Sequence, residues 1–233
     1  MPDFTTDNAL VLNTRPLGEN TFIITLFTAE HGRHLGVYKK KTSPEIGTLV
    51  HAHWKARLAD QMGTFYLEEV KAYAPLLMDD RKRLNVLINL CATLDKVLPE
   101  RQTYNTLHHQ TLTLLQQLFL PDFYANYIKF EVMLLKSLGF ALDMTECAGG
   151  GDKNNLAYIS PKTGRAVSRE KGKPYHNKLL PLPAFLWRND PATPQDLLDG
   201  LALTSHFFHA QLLDEMPASR TRLIQDIQRM AHG

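Results

Sequence analysis

The chain has 233 residues, of which 44% are apolar and 21% are charged, and this is the composition of a folded globular protein. It excludes disordered and fibrous chains, and two cysteines exclude a disulfide framework. Polar and charged residues interrupt every apolar run short of about 18 residues, so we expect no transmembrane helix. Because residues 1–4 do not open a cleavable signal peptide, we expect a cytoplasmic protein with reduced thiols.

The net charge of +2 conceals a local excess of basic residues. Between residues 147 and 180 only Asp152 and Glu170 are acidic, and seven side chains are basic. The seven are Lys153, Lys162, Arg165, Arg169, Lys171, Lys173 and Lys178. A local basic surface is what nucleic-acid binding requires, although an ordinary solvated loop can have the same composition.

Alternating apolar and polar residues dominate the first 75 positions and predict five short β-strands. The segments are residues 9–13, 21–27, 35–38, 49–56 and 64–70. Turn residues separate them, and no helical pattern intervenes. Five strands in about 70 residues favour a small five-stranded Greek-key barrel.

After Pro75 the spacing of apolar residues becomes helical. Three helical segments precede residue 140, and two more follow Pro194. Between them, residues 147–180 contain Gly149, Gly150 and Gly151 and several further turn residues. This part of the chain is therefore predicted as a turn-rich insertion with at most short strands.

The usual enzyme motifs are absent from the sequence. There is no phosphate-binding loop, no dinucleotide fingerprint and no nucleophile elbow. His51 with His53, and His206 with His209, have spacings that a metal can use, but neither pair has further ligands nearby. We therefore expect a protein that is not an enzyme, with no cofactor and no metal.

Three stretches, in this order along the chain, resemble one family. Residues 11–20 (VLNTRPLGEN), 26–33 and 36–39 are similar to the amino-terminal domain of the RecO family of bacterial recombination mediators. Residues 129–140 (KFEVMLLKSLGF) form the second match, and residues 147–168 form the third. Together they extend over most of the chain.

The resemblance implies an α+β, multi-domain protein. It implies an OB-fold DNA-binding domain at residues 1–78, an α-helical domain formed by residues 79–146 and 181–233, and a zinc-knuckle-like insertion at residues 147–180. It also implies a nucleoid-associated protein that binds single- and double-stranded DNA and anneals complementary strands. With RecR, such a protein helps to load RecA onto DNA coated by single-stranded DNA-binding protein.

The insertion departs from the family pattern. The family places four cysteines as two pairs, and the matching positions here are Cys147, Gly150, Ser168 and Lys171. A structural zinc normally needs four ligands, and three are missing. We predict an insertion that keeps its fold without metal.

Basic residues on or beside the predicted strands are the candidate DNA contacts, because OB barrels combine a positive groove with exposed aromatic rings. They are Arg15, Arg33, Lys39, Lys40, Lys41, Lys55 and Arg57. Aromatic residues are interleaved with them, and most of these are expected in the barrel core. The run Lys39 to Lys41 is the sharpest signal, because three consecutive cations cannot all be offset within a short turn.

A candidate partner site lies on the third predicted helix. Lys129, Met133 and Lys136 are spaced i, i+4 and i+7 and share one helix face. Two cations around an apolar contact suit the acidic C-terminal tail of single-stranded DNA-binding protein, which the resemblance implies as a partner. An ordinary amphipathic helix with two solvated lysines has the same pattern.

Two other functions stay open at this point. The chain could be a protein-binding adaptor whose barrel is purely structural, and the excess of acidic over basic residues in the first 80 positions supports that alternative. A nuclease would need clustered carboxylates with Mg²⁺, and the sequence shows none.

Overall fold

The alternating pattern at the start of the chain forms five β-strands in the computed structural model, which describes residues 2–58, 60–188 and 190–231. The strands are β1 (Asp3–Gly18), β2 (Thr21–Thr28), β3 (Gly32–Lys39), β4 (Thr48–Lys55) and β5 (Thr64–Ala72). They form a closed barrel in the order β1-β2-β3-β5-β4. Each predicted segment overlaps one strand, so the prediction of a five-stranded sheet is confirmed.

β1 is twice as long as β2 because it pairs with two neighbours in turn. Its first half is antiparallel to β4, and its second half is antiparallel to β2. The register with β4 shifts between Thr6 and Ala9, and Asn8 between them has a φ of 51°. Asparagine tolerates this left-handed conformation better than most residues, and the bulge bends the strand toward closure of the barrel.

Side chains that alternate along the strands fill the barrel. Ile24, Val50 and Trp54 belong to its buried core, together with Phe65. The Phe65 ring lies against Gly36, where a Cβ atom would come within 2.4 Å of the ring. A glycine at this position is therefore required for the ring to fill the interior.

Three helices complete the first part of the chain. They are α1 (Tyr73–Leu76), α2 (Arg81–Val97) and α3 (Asn105–Gln117). The Asp80 carboxylate caps α2 by accepting hydrogen bonds from the backbone N–H groups of Lys82 and Arg83. The apolar stripe of α2 is buried at Leu87 and Leu94, as its spacing predicts.

Three longer helices of the second part surround a buried ion pair. They are α4 (Phe123–Ser137), α6 (Pro194–Gln211) and α7 (Ser219–Ala231). Arg220 of α7 donates to both carboxylate oxygens of Glu131 on α4, at 2.5 and 3.0 Å. Thr204 of α6 and Tyr127 of α4 also donate to Glu131. Each oxygen of this fully buried carboxylate thus has partners.

The insertion folds as a small three-stranded sheet with the order β7-β6-β8. Its strands are β6 (Leu156–Ile159), β7 (Ala166–Ser168) and β8 (Leu180–Pro181), and the short helix α5 (Arg169–Gly172) follows β7. A 3₁₀ helix, Lys173–Lys178, continues from α5. The predicted turn-rich character is visible in the shortness of these elements.

The architecture is α+β, as predicted, with a five-stranded sheet first and a helical region after it. By contact density the chain divides into two compact units, residues 1–119 and 120–233, so α1, α2 and α3 belong with the barrel. The division into domains 1–78, 79–146 with 181–233, and 147–180 stays a prediction. No helix among the described residues is long and apolar enough to cross a bilayer.

Candidate nucleic-acid interface

A cleft opens in the barrel wall where β3 and β5 separate. The two strands pair in parallel at one position, Val37 with Thr64, and the Val37 N–H donates to the Gly63 carbonyl at 3.0 Å. Beyond this point β3 ends at Lys39 while β5 stays paired with β4. The space between them is a cleft of about 560 Å³. The described residues that line it are Tyr38, Lys39, Lys40, His51, His53, Thr64, Phe65, Tyr66, Leu67 and Glu68.

Tyr66 is the exposed aromatic residue of this barrel cleft, with half of its surface accessible to solvent. The His53 ring stacks beside it, with centroids 5.9 Å apart and an interplanar angle of 28°. The Lys55 ammonium lies 4.8 Å from the centre of the Tyr66 ring. An exposed ring next to a cation is the arrangement on which a nucleobase can stack.

Lys39 and Lys40 lie across the cleft from Tyr66, and Lys41 follows in the loop to β4. All three side chains are exposed. No ion pair joins any of them to another of the described residues, so their charges are available to an anion from outside. The structure therefore places Lys39 and Lys40 in the same cleft as the exposed Tyr66 ring, which the Lys55 ammonium also contacts.

Acidic residues also border this surface. His51 Nδ1 lies 2.5 Å from an Asp7 carboxylate oxygen, and Glu68 is part of the cleft lining. His53 Nε2 lies 4.0 Å from the Asp3 carboxylate. The positive potential is consequently local to the lysines and does not extend over the whole barrel.

The other predicted DNA contacts are placed differently. The Arg33 guanidinium donates to the Leu98 carbonyl at 2.7 Å and lies 3.4 Å from carboxylate oxygens of both Asp95 and Glu100. It joins β3 to the end of α2, and two carboxylates there offset its charge. We therefore leave Arg33 out of the proposed DNA surface. Arg15 on β1 and Arg57 in the β4–β5 loop are exposed, but neither is among the described residues that line the cleft.

The four positions that match the cysteines of the family pattern, residues 147, 150, 168 and 171, lie close together in the structure. The Ser168 backbone N–H donates to Cys147 Sγ at 3.2 Å, and Gly149 and Gly151 pack against the Lys171 side chain. This donor set does not fit zinc, because glycine has no ligand atom and lysine is a cation. Across the part of the chain that the structure describes, no three His, Cys, Asp or Glu side chains cluster as metal ligands.

Hydrogen bonds surround the Cys147 thiol. Burial alone would raise the pKa of this thiol, but hydrogen bonding from Ser168 and from the backbone N–H groups of Gly151 and Gly149 lowers it to about 7.

The predicted partner site lies on α4. Lys129 and Met133 are half-buried and Lys136 is exposed, whereas Ile128 and Leu135 on the other face are fully buried. The three residues thus share an accessible helix face, as their spacing predicts.

Sequence reasoning did not identify the ion pair of Glu131 and Arg220. The two residues are 89 positions apart, and the signal that could have found them is a carboxylate in an otherwise apolar helix face. It also did not single out Tyr66 from the other barrel aromatics, because strand alternation does not show which face of a barrel is inside.

Comparison with known proteins matches nearly the whole chain. The family model described as "Recombination protein O N terminal" matches residues 1–74, and the one described as "Recombination protein O C terminal" matches residues 78–220. A protein of Rhodospirillum centenum named "DNA repair protein RecO" is 41% identical over 97% of this chain and 95% of its own length. Proteins of the same name from Rhodospirillum rubrum and Cereibacter sphaeroides are each 39% identical over 96% of this chain, and over 96% and 98% of their own lengths.

Proposed function

This chain belongs to the RecO family of DNA repair proteins, and from that premise we propose that its N-terminal barrel, an OB fold, binds single- and double-stranded DNA. The observation that carries the proposal is the barrel cleft, which Lys39, Lys40 and the exposed Tyr66 line, with the Lys55 ammonium 4.8 Å from the centre of the Tyr66 ring. OB folds bind single strands through this combination of phosphate-binding cations and stacking rings.

The mode of binding suits strand annealing. Phosphate contacts carry no sequence information, and stacking uses the face of a base. A strand held in this way keeps the hydrogen-bonding edges of its bases free for a complementary strand. The protein then acts without covalent chemistry, by holding a strand in an open conformation.

The family also suggests the protein context of this activity. We propose that the chain works with RecR to load RecA onto DNA coated by single-stranded DNA-binding protein. Lys129, Met133 and Lys136 on α4 would bind the acidic tail of single-stranded DNA-binding protein, since two cations flank an apolar side chain on their accessible face.

The lysine run supplies the test of DNA binding. We expect the variant Lys39→Ala/Lys40→Ala/Lys41→Ala to weaken binding of a labelled single strand similarly for all base sequences. Each lost phosphate contact reduces the slope of log K against log salt by about 0.7, so the slope should fall by up to about 2. Fluorescence anisotropy titrations between low and moderate salt measure both quantities.

Two controls define what each result means. The charge-conserving variant Lys39→Arg/Lys40→Arg/Lys41→Arg should keep the wild-type slope, and Tyr66→Ala should lose affinity that Tyr66→Phe keeps. An unchanged slope in the alanine variant would remove the lysine run from the site. Absence of any salt-sensitive DNA binding by the wild-type protein would instead support the adaptor with a structural barrel.

A further inference from the structure

The insertion presents a second set of exposed cations, in the unit of residues 120–233. All seven of its basic side chains are exposed. Among the described residues, Arg165 has an ion-pair partner, Asp143 at 3.7 Å, and the other six have none. The barrel cleft does not account for these six exposed cations, four of which are close together in the sequence.

Four of these cations are concentrated at residues 169–178, which we call the basic segment. They are Arg169, Lys171, Lys173 and Lys178. Glu170 is the only acidic residue of the segment. Tyr175 lies between the lysines and is 59% exposed, so an aromatic ring faces solvent in the middle of the positive charge.

The backbone of the basic segment is held in place by the sheet below it. Gly172 lies so close to the Tyr158 ring of β6 that a Cβ atom would come within 2.3 Å of it. The Lys173 carbonyl lies 3.1 Å from His176 Nδ1, and Pro174 fixes its own φ. Because this backbone is already ordered, a ligand that binds to it has little conformational entropy to remove.

Nucleic acid is the partner whose chemistry fits this surface. Interleaved cations and an exposed ring match the phosphates and bases of a single strand. A membrane-binding surface would need a larger apolar face, and Tyr175 is the one exposed large apolar side chain among the described residues of the insertion.

We propose that the basic segment is a second contact for single-stranded DNA, separate from the barrel cleft. This inference rests on the proposed function, because annealing requires that two strands be held by the protein. Lys173 and Lys178 contact phosphates, and Tyr175 stacks on a base. Each compact unit of the chain then carries one strand-binding surface.

The test compares two pairs of lysines within the insertion. Lys173→Ala/Lys178→Ala removes two cations of the basic segment, and Lys153→Ala/Lys162→Ala removes two exposed cations outside it. We expect the first variant to anneal complementary oligonucleotides about tenfold more slowly, with a salt slope smaller by about 1.4, and the second to behave like the wild type. Tyr175→Ala should weaken strand binding by about fivefold or more, and Tyr175→Phe should not.

The outcomes separate this inference from the proposed function. Annealing and salt slope at wild-type values in both Lys173→Ala/Lys178→Ala and Tyr175→Ala would overturn the inference, while loss of binding in the barrel variant would still support the function. If the wild-type protein bound no DNA, both would fail. If Lys173→Ala/Lys178→Ala annealed normally but lost binding to phosphatidylglycerol vesicles, the basic segment would be a membrane contact instead. Circular dichroism melts of every variant verify that each one is folded.

Discussion

The imidazole of His34 lies inside the barrel among the rings of Phe4, Trp54 and Phe65. It is 5% exposed, and neither ring nitrogen has a hydrogen-bond partner among the described residues. Burial, and then the positive charge of Arg101 and the neighbouring His31, lower the pKa of His34 to about 4. The folded barrel therefore contains this imidazole in its neutral form at neutral pH.

This residue makes barrel stability depend on pH. The unfolded chain binds a proton on His34 below about pH 6.5, whereas the folded chain does so only near pH 4. The free energy of unfolding should thus be fully maintained above pH 6.5 and should fall as the pH decreases to 4. Urea titrations at several pH values measure this, and the decline should be shallower in His34→Leu. Equal pH dependence in the two proteins would show that another group causes it.

The two cysteines should differ sharply in reactivity. The pKa of Cys147 is lowered to about 7, whereas burial, together with the nearby Asp95, raises the pKa of Cys91 to about 12. Cys147 is 7% exposed, and Cys91 is fully buried. Since the thiolate is the nucleophile, iodoacetamide should modify Cys147 slowly, with a pH midpoint near 7, and leave Cys91 unmodified in the folded protein. Mass spectrometry identifies the site, and unfolding in urea should expose Cys91. If the modification of Cys147 had its pH midpoint at the ordinary thiol pKa, hydrogen bonds would not lower the pKa of this residue.

At the scale of the helices, the ion pair between Glu131 and Arg220 holds α7 against α4 and α6. Burial disfavours the charged guanidinium, but the charge and hydrogen bonds of Glu131 overcome this and raise the pKa of Arg220. Both side chains are almost inaccessible to solvent. Removal of one partner from such a pair leaves an uncompensated buried charge, which is strongly destabilising.

Removal of one partner should therefore be far more damaging than removal of both. Arg220→Met leaves a buried charge at Glu131 and should lower the free energy of unfolding by about 3–5 kcal/mol. Glu131→Leu/Arg220→Met should recover much of this loss, and Arg222→Ala, at an exposed position of the same helix, should have little effect. Urea unfolding followed by circular dichroism tests the order. If the double variant were no more stable than Arg220→Met, the unpaired carboxylate of Glu131 would not be the cause of the loss.

The accessible face of α4 should bind the acidic tail peptide of single-stranded DNA-binding protein and should not contribute to the binding of bare DNA. Lys129→Glu reverses one charge at the rim of the proposed site, and a rim charge is worth about 1 kcal/mol. We expect this variant to bind the acidic tail peptide about fivefold more weakly or worse, and to keep its affinity for bare DNA within about twofold. Fluorescence titrations with both ligands measure the two effects, and Lys82→Glu on α2 is the matched charge reversal. Wild-type affinity for the peptide would remove Lys129 from the site.

At the scale of the whole molecule, stability should not depend on zinc. Cys147 is one ligand where four are needed, and Gly150, Ser168 and Lys171 supply none of the remainder. Purified protein should contain well below one zinc per chain, and a chelator should leave the thermal midpoint unchanged. Stoichiometric zinc would contradict this and would require histidines such as His176 to provide ligands.

Several features of the molecule follow from local pattern alone. The alternation of residues 9–70 predicts five strands because side chains on a strand alternate between two faces, and the helical spacing after Pro75 predicts the helices. The loss of zinc ligands can also be derived from residue identity, since glycine has no side-chain ligand atom and the lysine ammonium has no lone pair to donate. These properties depend on neighbours within a few positions along the chain.

Other features were decided by tertiary structure, because they depend on residues that are distant in sequence. Arg33 has the same local pattern as Lys39, and only the end of α2 makes it an ion-pair partner of Asp95 and Glu100. The aromatic residues of the barrel look alike in sequence, and barrel closure buries Trp54 while it leaves Tyr66 half exposed. The sequence by itself determined the elements, the family and the absence of a zinc ligand set. Packing between distant segments decided which cations stay free and where the cleft opens, since burial and charge pairing are properties of the folded chain.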